Sequence, residues 1–149
     1  MMRLLERSGK MRAKLEHKMI NDLLLVLSKC NIIDSSKVTK EQLNSKDTII
    51  AWNELLDNSK GSNKDSYLVY TIQDYQDNYF GDGEAVLAEL TCILDLYTNY
   101  PNMSRKSIDL RTNLEAAFDS TWRIAFNLHE YDNQTKLHHY SYSVSKIYG

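Results

Sequence analysis

The chain has 149 residues, room for one domain with one real core, and its 18 basic against 20 acidic side chains leave a net charge of −2. That balance argues against a chain built to wrap a nucleic-acid backbone, which demands a basic surface. No window approaches the roughly 18 apolar residues that span a membrane. Arg3, Glu6 and Arg7 stand where a signal peptide needs an apolar run, so the expected location is cytoplasmic.

Residues 1–9 are expected to be flexible. From Lys10 to Cys30 the apolar residues Met11, Leu15, Met19, Leu23, Val26, Leu27 and Cys30 recur at spacings of three and four. That periodicity predicts an amphipathic helix, with Lys14, His17, Lys18, Asn21 and Asp22 on its polar side. "NIIDSSK" reads as a turn, because Asn31, Asp34 and the serines bond readily to nearby backbone. "DTIIAWNEL" (47–55) predicts a short strand, and Leu56–Ser66 a solvated loop. "YLVYTIQDY" is a second strand, followed by the polar turn "QDNYFGDG", so residues 73–83 make another long loop. From about Ala85 to Thr98 the pattern has period two. Val86, Ala88, Leu90, Cys92, Leu94 and Leu96 share one face, and Leu87, Glu89, Thr91, Ile93, Asp95 and Tyr97 share the other.

Pro101 closes that strand, and Ser104 or Ser107 then caps a helix to about Asp119 with Leu110, Leu114, Ala117 and Phe118 as its buried stripe. "TWRIAFNLHEY" predicts a strand with Trp122, Ile124, Phe126 and Leu128 on one face. After the turn "DNQT", "KLHHYSYSVSKI" returns with Tyr140, Tyr142 and Val144 on one face. The order α-β-β-β-α-β-β defines a single α+β domain over residues 1–149. Its expected sheet is mostly antiparallel, with four to five strands packed by two helices.

Chemistry is sparse. His129, His138 and His139 flank the last hairpin; His129 and His138 could face each other across it and, with Glu130, hold a metal, but an ordinary strand surface is the favoured reading. Asp74, Asp77, Asp82 and Glu84 lack the spacing of a calcium loop, and "GDG" fits no phosphate-binding pattern. No serine sits in G-x-S-x-G, and Cys30 and Cys92 have no C-x-x-C spacing. The cysteines read as reduced core residues of an intracellular protein, and neither catalysis nor a cofactor is expected. Basic residues between Arg3 and Lys18, interrupted by Glu6 and Glu16, read as a solvated helix face; a phosphate backbone or an acidic partner is the alternative. Ten tyrosines, most in the second half, suit half-buried strands and subunit interfaces.

From Tyr67 to Ile147 the chain resembles the tail terminator, or tail completion, proteins of bacteriophages with long non-contractile tails. Four parts carry the likeness in order: "YLVYTI", "GDGEAVLAELTCILDLYTN", "IDLRTNLEAAF" and "WRIAFNLHEYDNQTKLHHYSYSVS". They are similar to the family's aromatic-aliphatic strand, its strand from a D-G pair to D-L-Y/W-T, the following helix, and its aromatic-rich closing hairpin. The resemblance implies a virion protein of the tail and neck, assembled in the host cytoplasm. It implies a hexameric ring that caps the tail tube, ends polymerisation of the tube protein and presents the head-connector surface. DNA would pass through such a ring without being read in sequence. A ring needs two unlike patches on each subunit. The candidate interface set is Glu89, Thr91, Asp95 and Tyr97 on the strand's polar face, with Asp74, Asp77, Tyr79 and Phe80 from the preceding polar segment. Another head-tail joining protein, and a small regulatory or host-directed binding module, are the competing readings.

Overall fold

A computed structural model describes residues 2–54, 63–80 and 84–149, with side chains for 12–54, 63–73 and 87–149. Its first helix, α1 (Met2–Lys29), begins well before the expected Lys10. The predicted stripe is its packed side: Met19, Leu23, Val26 and Leu27 are buried, with Leu15 and Cys30 half-buried against them. Each fully buried side chain of this size stabilises the fold by about 1.5–3 kcal/mol. Asn31 ends the helix at φ 62°, the left-handed conformation that asparagine tolerates at a helix terminus.

The next residues are a correction to the expected turn. Ile32–Asp34 form a strand, β1, before a 3₁₀ turn at Ser35–Lys37. A five-residue helix, α2 (Lys40–Asn44), follows, held by a capping box in which Thr39 Oγ1 accepts from Gln42 N (3.2 Å) and Gln42 Oε1 from Thr39 N (3.0 Å). At its other end the ammonium of Lys64, only 5 % exposed, donates to the carbonyls of Gln42 and Ser45. Burial pulls the Lys64 pKa below its ordinary value. The end of a helix is where carbonyl groups best receive such a cation.

Strand β2 (Ile49–Asn53) lies parallel to β1 and to the start of β3 (Ser66–Phe80). β3 pairs antiparallel with β4 (Glu84–Thr98) over nearly its full length, with a bulge at Gln73. A second correction follows, because residues 73–80, expected as loop, are strand. The last β4–β6 pair is Ala88 with Tyr148, so residues 78–80 and 84–87 continue as a two-stranded ribbon beyond that neighbour. The register shift at Gln73 interrupts the alternation, and the polar Gln76, Asp77 and Asn78 follow it, so this half of the strand reads as a turn in sequence. Of the expected loop at 56–66, residues 56–62 lie outside the described residues, as do Gly81–Gly83.

Helix α3 (Arg105–Ala117) is capped by Ser104, whose Oγ accepts from Ser107 N at 3.2 Å. Ser107, the other candidate cap, is buried instead, 3.4 Å from the hydroxyl of Tyr140. Leu110, Leu114 and Phe118 are buried as expected, and Phe118 meets Trp122 edge-on at 5.4 Å. The chain closes with the hairpin of β5 (Trp122–Asp132) and β6 (Leu137–Tyr148). Lys136 turns it at φ 61°, with Lys136 N bonded to Asp132 O at 2.8 Å.

The result is a single α+β domain around one open, mixed six-stranded sheet in the order β1-β2-β3-β4-β6-β5. Six strands replace the expected four to five, and the β1-β2-β3 portion is parallel. The main core joins α1 and α3 to one face, through Leu68, Tyr70, Ala88, Leu90, Cys92, Leu94, Leu96, Tyr140, Tyr142 and Val144. Asp22 of α1 ties the end of β6 to this side. Its carboxylate accepts from Tyr148 OH at 2.9 Å and lies 3.5 Å from Lys146 Nζ.

Candidate functional site

The face of the sheet away from that core carries the polar half of β4's alternation. Glu89, Thr91, Asp95 and Tyr97 all stand there, half-buried, between core residues that are almost fully buried. Cross-strand register sets Tyr67, Tyr97, His139 and Glu130 in one row across β3, β4, β6 and β5. Tyr67 and Tyr97 stack with centroids 4.9 Å apart, and Tyr97 and His139 stack at 4.6 Å with planes 6° apart. Each such pair contributes about 0.5–1.5 kcal/mol beyond area burial. The next β4 position on this face supplies a carboxylate: Asp95 Oδ1 lies 2.7 Å from His139 Nε2, while Glu130 Oε2 lies 3.9 Å from His139 Nδ1. The imidazole is thus held between two carboxylates. Burial, and then the charge of Asp95, push the Tyr97 phenol up to about 12.

Beside this row β6 presents three small side chains in succession. Ser141, Ser143 and Ser145 face Asp95, Ile93 and Thr91 across the ladder, and Ser143 Oγ accepts from Asn127 Nδ2 at 2.7 Å. Strand β5 contributes in a way its sequence pattern does not predict. A bulge at Asn127 breaks its register, so Trp122, Ile124 and Phe126 pair with Lys146, Val144 and Tyr142 of the core face. Leu128 instead pairs with Ser141 on the open face. The expected four-residue apolar face is therefore split. Only Trp122 of the four is buried, whereas Phe126 remains 53 % exposed and Leu128 38 %. Ile147, opposite Glu89, is another exposed apolar side chain on this surface.

Of the remaining interface candidates, Asp74 lies opposite Thr91, Asp77 opposite Ala88, Tyr79 opposite Ala85 and Phe80 opposite Glu84. Their side chains lie outside the described residues. The register places Asp74 beside the Glu89–Tyr97 group, Asp77 opposite a position of the core face, and Tyr79 and Phe80 on the ribbon. Sequence reading missed Glu130, Leu128, His139 and the serines as members of one surface. The alternation in "SYSVS" did hold a signal, since every residue between Tyr140, Tyr142 and Val144 is small.

His129 and His138 do meet, with Nε2 and Nδ1 2.9 Å apart. Their rings lie nearly parallel, 26° apart, and His129 also stacks on Tyr140 at 4.5 Å. Burial first, then His138 and Arg111, pull the His129 pKa below its ordinary value. Tyr140 in turn ties the hairpin to α3 and the segment before it: its OH donates to Asn102 Oδ1 at 2.6 Å, and the Arg111 guanidinium lies 4.5 Å from its ring centre. Among the described residues no group of three or more His, Cys, Asp or Glu is placed to hold a metal ion. A shallow open groove runs from Asp65, Asn99 and Tyr100 to Tyr131, Lys136 and His138. Among the described residues no helix is long and apolar enough to cross a membrane.

No protein-family model matches the chain, and no curated protein matches it significantly.

Proposed function

We propose that the chain is a structural subunit of a phage tail of the long, non-contractile kind, a tail terminator that works by forming a ring on the finished tube. One observation carries the reading: the sheet is covered by its two main helices on one face and, over β4, β6 and β5, presents an ordered surface on the other. That surface combines a stacked aromatic row, three carboxylates, a floor of serines and the exposed Leu128 and Ile147. Mixed aromatic, apolar and charged surface of this sort suits subunit contacts. The two sheet edges differ as well. β1 offers three residues at one side and β5 eleven at the other. A molecule with unlike patches joins copies of itself head to tail, and such contacts close into rings when the rotation allows.

In this reading the ring is a hexamer, and its partners are the tail tube protein and the head-tail connector. DNA crosses its opening without sequence-specific contact. It acts as a shape, with neither catalysis nor a cofactor, in virions assembled in the bacterial cytoplasm. The β3–β4 ribbon, standing free of β6, is well suited to reach a neighbour or the tube.

Native mass spectrometry and negative-stain electron microscopy, alone and with purified tail tubes, test the proposal. The expected result is a six-fold ring, free or seated on tube ends. A particle that stays monomeric at every concentration, with and without tubes, overturns it.

A further inference from the structure

We propose that free chains pair face to face, two copies laying their open β4-β6-β5 surfaces together about a two-fold axis that runs across the strands. The helices α1 and α3 pack the other side of these strands, and on β5 the open face carries Arg123, Ala125, Leu128 and Glu130 in order, all exposed. Arg123 makes no ion pair among the described residues. The Glu130 side chain is 70 % exposed, with His139 Nδ1 3.9 Å from its carboxylate. Both charges are therefore available to a second molecule.

Charge selects both the occupant and its orientation. Arg123 lies opposite Ser145 and Glu130 opposite His139, so the face has a basic and an acidic end about 20 Å apart along the strand. A half-turn about an axis across the strands, between the Ser141 and Ser143 rows, exchanges those ends. Arg123 of each copy then meets Glu130 of the other, and Leu128 of each lies over Ala125 of the other. Every contact occurs twice, as an isologous interface requires. On β4 the same rotation sets Ile93 over Asp95, whose carboxylate His139 already holds at 2.7 Å. A half-turn about an axis along the strands instead sets Arg123 over Thr91 and Glu130 over Tyr97, which joins no opposite charges. Three strands about 4.8 Å apart, over about 20 Å of their length, make a patch smaller than the ~800 Å² per partner of a standard interface, so the pair is weak. It closes at two copies and covers the surface proposed above for the ring. It is a form of the free chain that must open before a ring closes.

Sedimentation equilibrium of the full chain, from micromolar to millimolar concentration, tests this. Wild type should pass from monomer to dimer. Arg123→Glu and Glu130→Arg should each raise the dissociation constant at least about tenfold, because like charges then meet at both ends of the pair. The double reversal Arg123→Glu/Glu130→Arg in one chain should restore dimers, and so should an equal mixture of the two single variants, since every contact again joins opposite charges. Circular dichroism checks folding at these exposed positions. Where Glu130→Arg disturbs the fold, Ala125→Glu replaces it; a carboxylate set against Leu128 should abolish dimers. A wild-type chain that stays monomeric, or passes directly to a larger ring, overturns the inference and leaves the ring proposal standing. So does a dimer that survives a single reversal, or a double reversal that stays apart. Dimers that behave as expected, with tube ends that never gain a ring, support the pair and sink the assembly reading.

Discussion

Replacing Leu94 with alanine measures how one-sided the sheet is. Leu94 has no exposed surface and sits in register between Tyr70 and Tyr142, on strands bonded to β4 from both sides. The change deletes three carbons, about 2.4 kcal/mol of transfer free energy at ~0.8 kcal/mol each. Neighbours held in a ladder cannot collapse fully into the space. A residual cavity of about 50 Å³ at ~24 cal/mol per Å³ adds about 1.2 kcal/mol. The expected loss is therefore roughly 3.5 kcal/mol, or about 7–14 °C in Tm for a chain of this size. Leu128→Ala on the open face, at 38 % exposure, should cost less than about 1 kcal/mol. Urea unfolding followed by tryptophan fluorescence reads both, with an unchanged slope. A loss under 1 kcal/mol at Leu94, or an equal loss at the two positions, would refute the division of the sheet into a packed and a presented face.

Removing Asp95 and Tyr97 together (Asp95→Ala/Tyr97→Ala) should weaken subunit association while the chain stays folded. Because Tyr97 stacks on both Tyr67 and His139, stability should also fall by about 1–2 kcal/mol. Sedimentation that matches wild type removes this face from the interface. Cys92 is fully buried and its thiol is pushed up to about 12, so only half-buried Cys30 should react with a thiol reagent in the native protein, and slowly. Equal, rapid labelling of both thiols contradicts the packing. Burial raises the pKa of Tyr67, Tyr97, Tyr142 and Tyr148, whereas an unfolded tyrosine ionises near about 10. Above that pH the unfolded chain releases protons first, so stability should fall as pH climbs from about 10 toward 12. A urea midpoint that stays level to about pH 11.5 denies it.

Periodicity made α1's packed stripe, β4, α3 and the inner face of β6 legible, because each keeps its spacing over several turns or pairs. Where a tertiary choice overrides the local one, the pattern misleads. Asp34 accepts a turn-type bond from Ser36 N at 3.0 Å, yet Ile32–Asp34 is strand because Ile49–Ala51 lies alongside. The bulges at Gln73 and Asn127 interrupt alternation, which hid the second half of β3 and moved Leu128 to the other face. The site was legible only in part. Asp95 and Tyr97 declared themselves through two-sided alternation, but the histidine held by Asp95 lies 44 residues further on. Only the strand order brings them together.

Strand β6 runs between β4 and β5, and its end at Tyr148 is fastened to Asp22 near the other extreme of the chain. A nascent polypeptide that has reached only α3 therefore has β4 with one flank unpaired and neither the serine floor nor His139 in existence. Translation must run past Tyr148 before the sheet can be completed. A prematurely terminated product would be more than a weakened copy, since it would lack the surface by which finished copies are proposed to recognise one another.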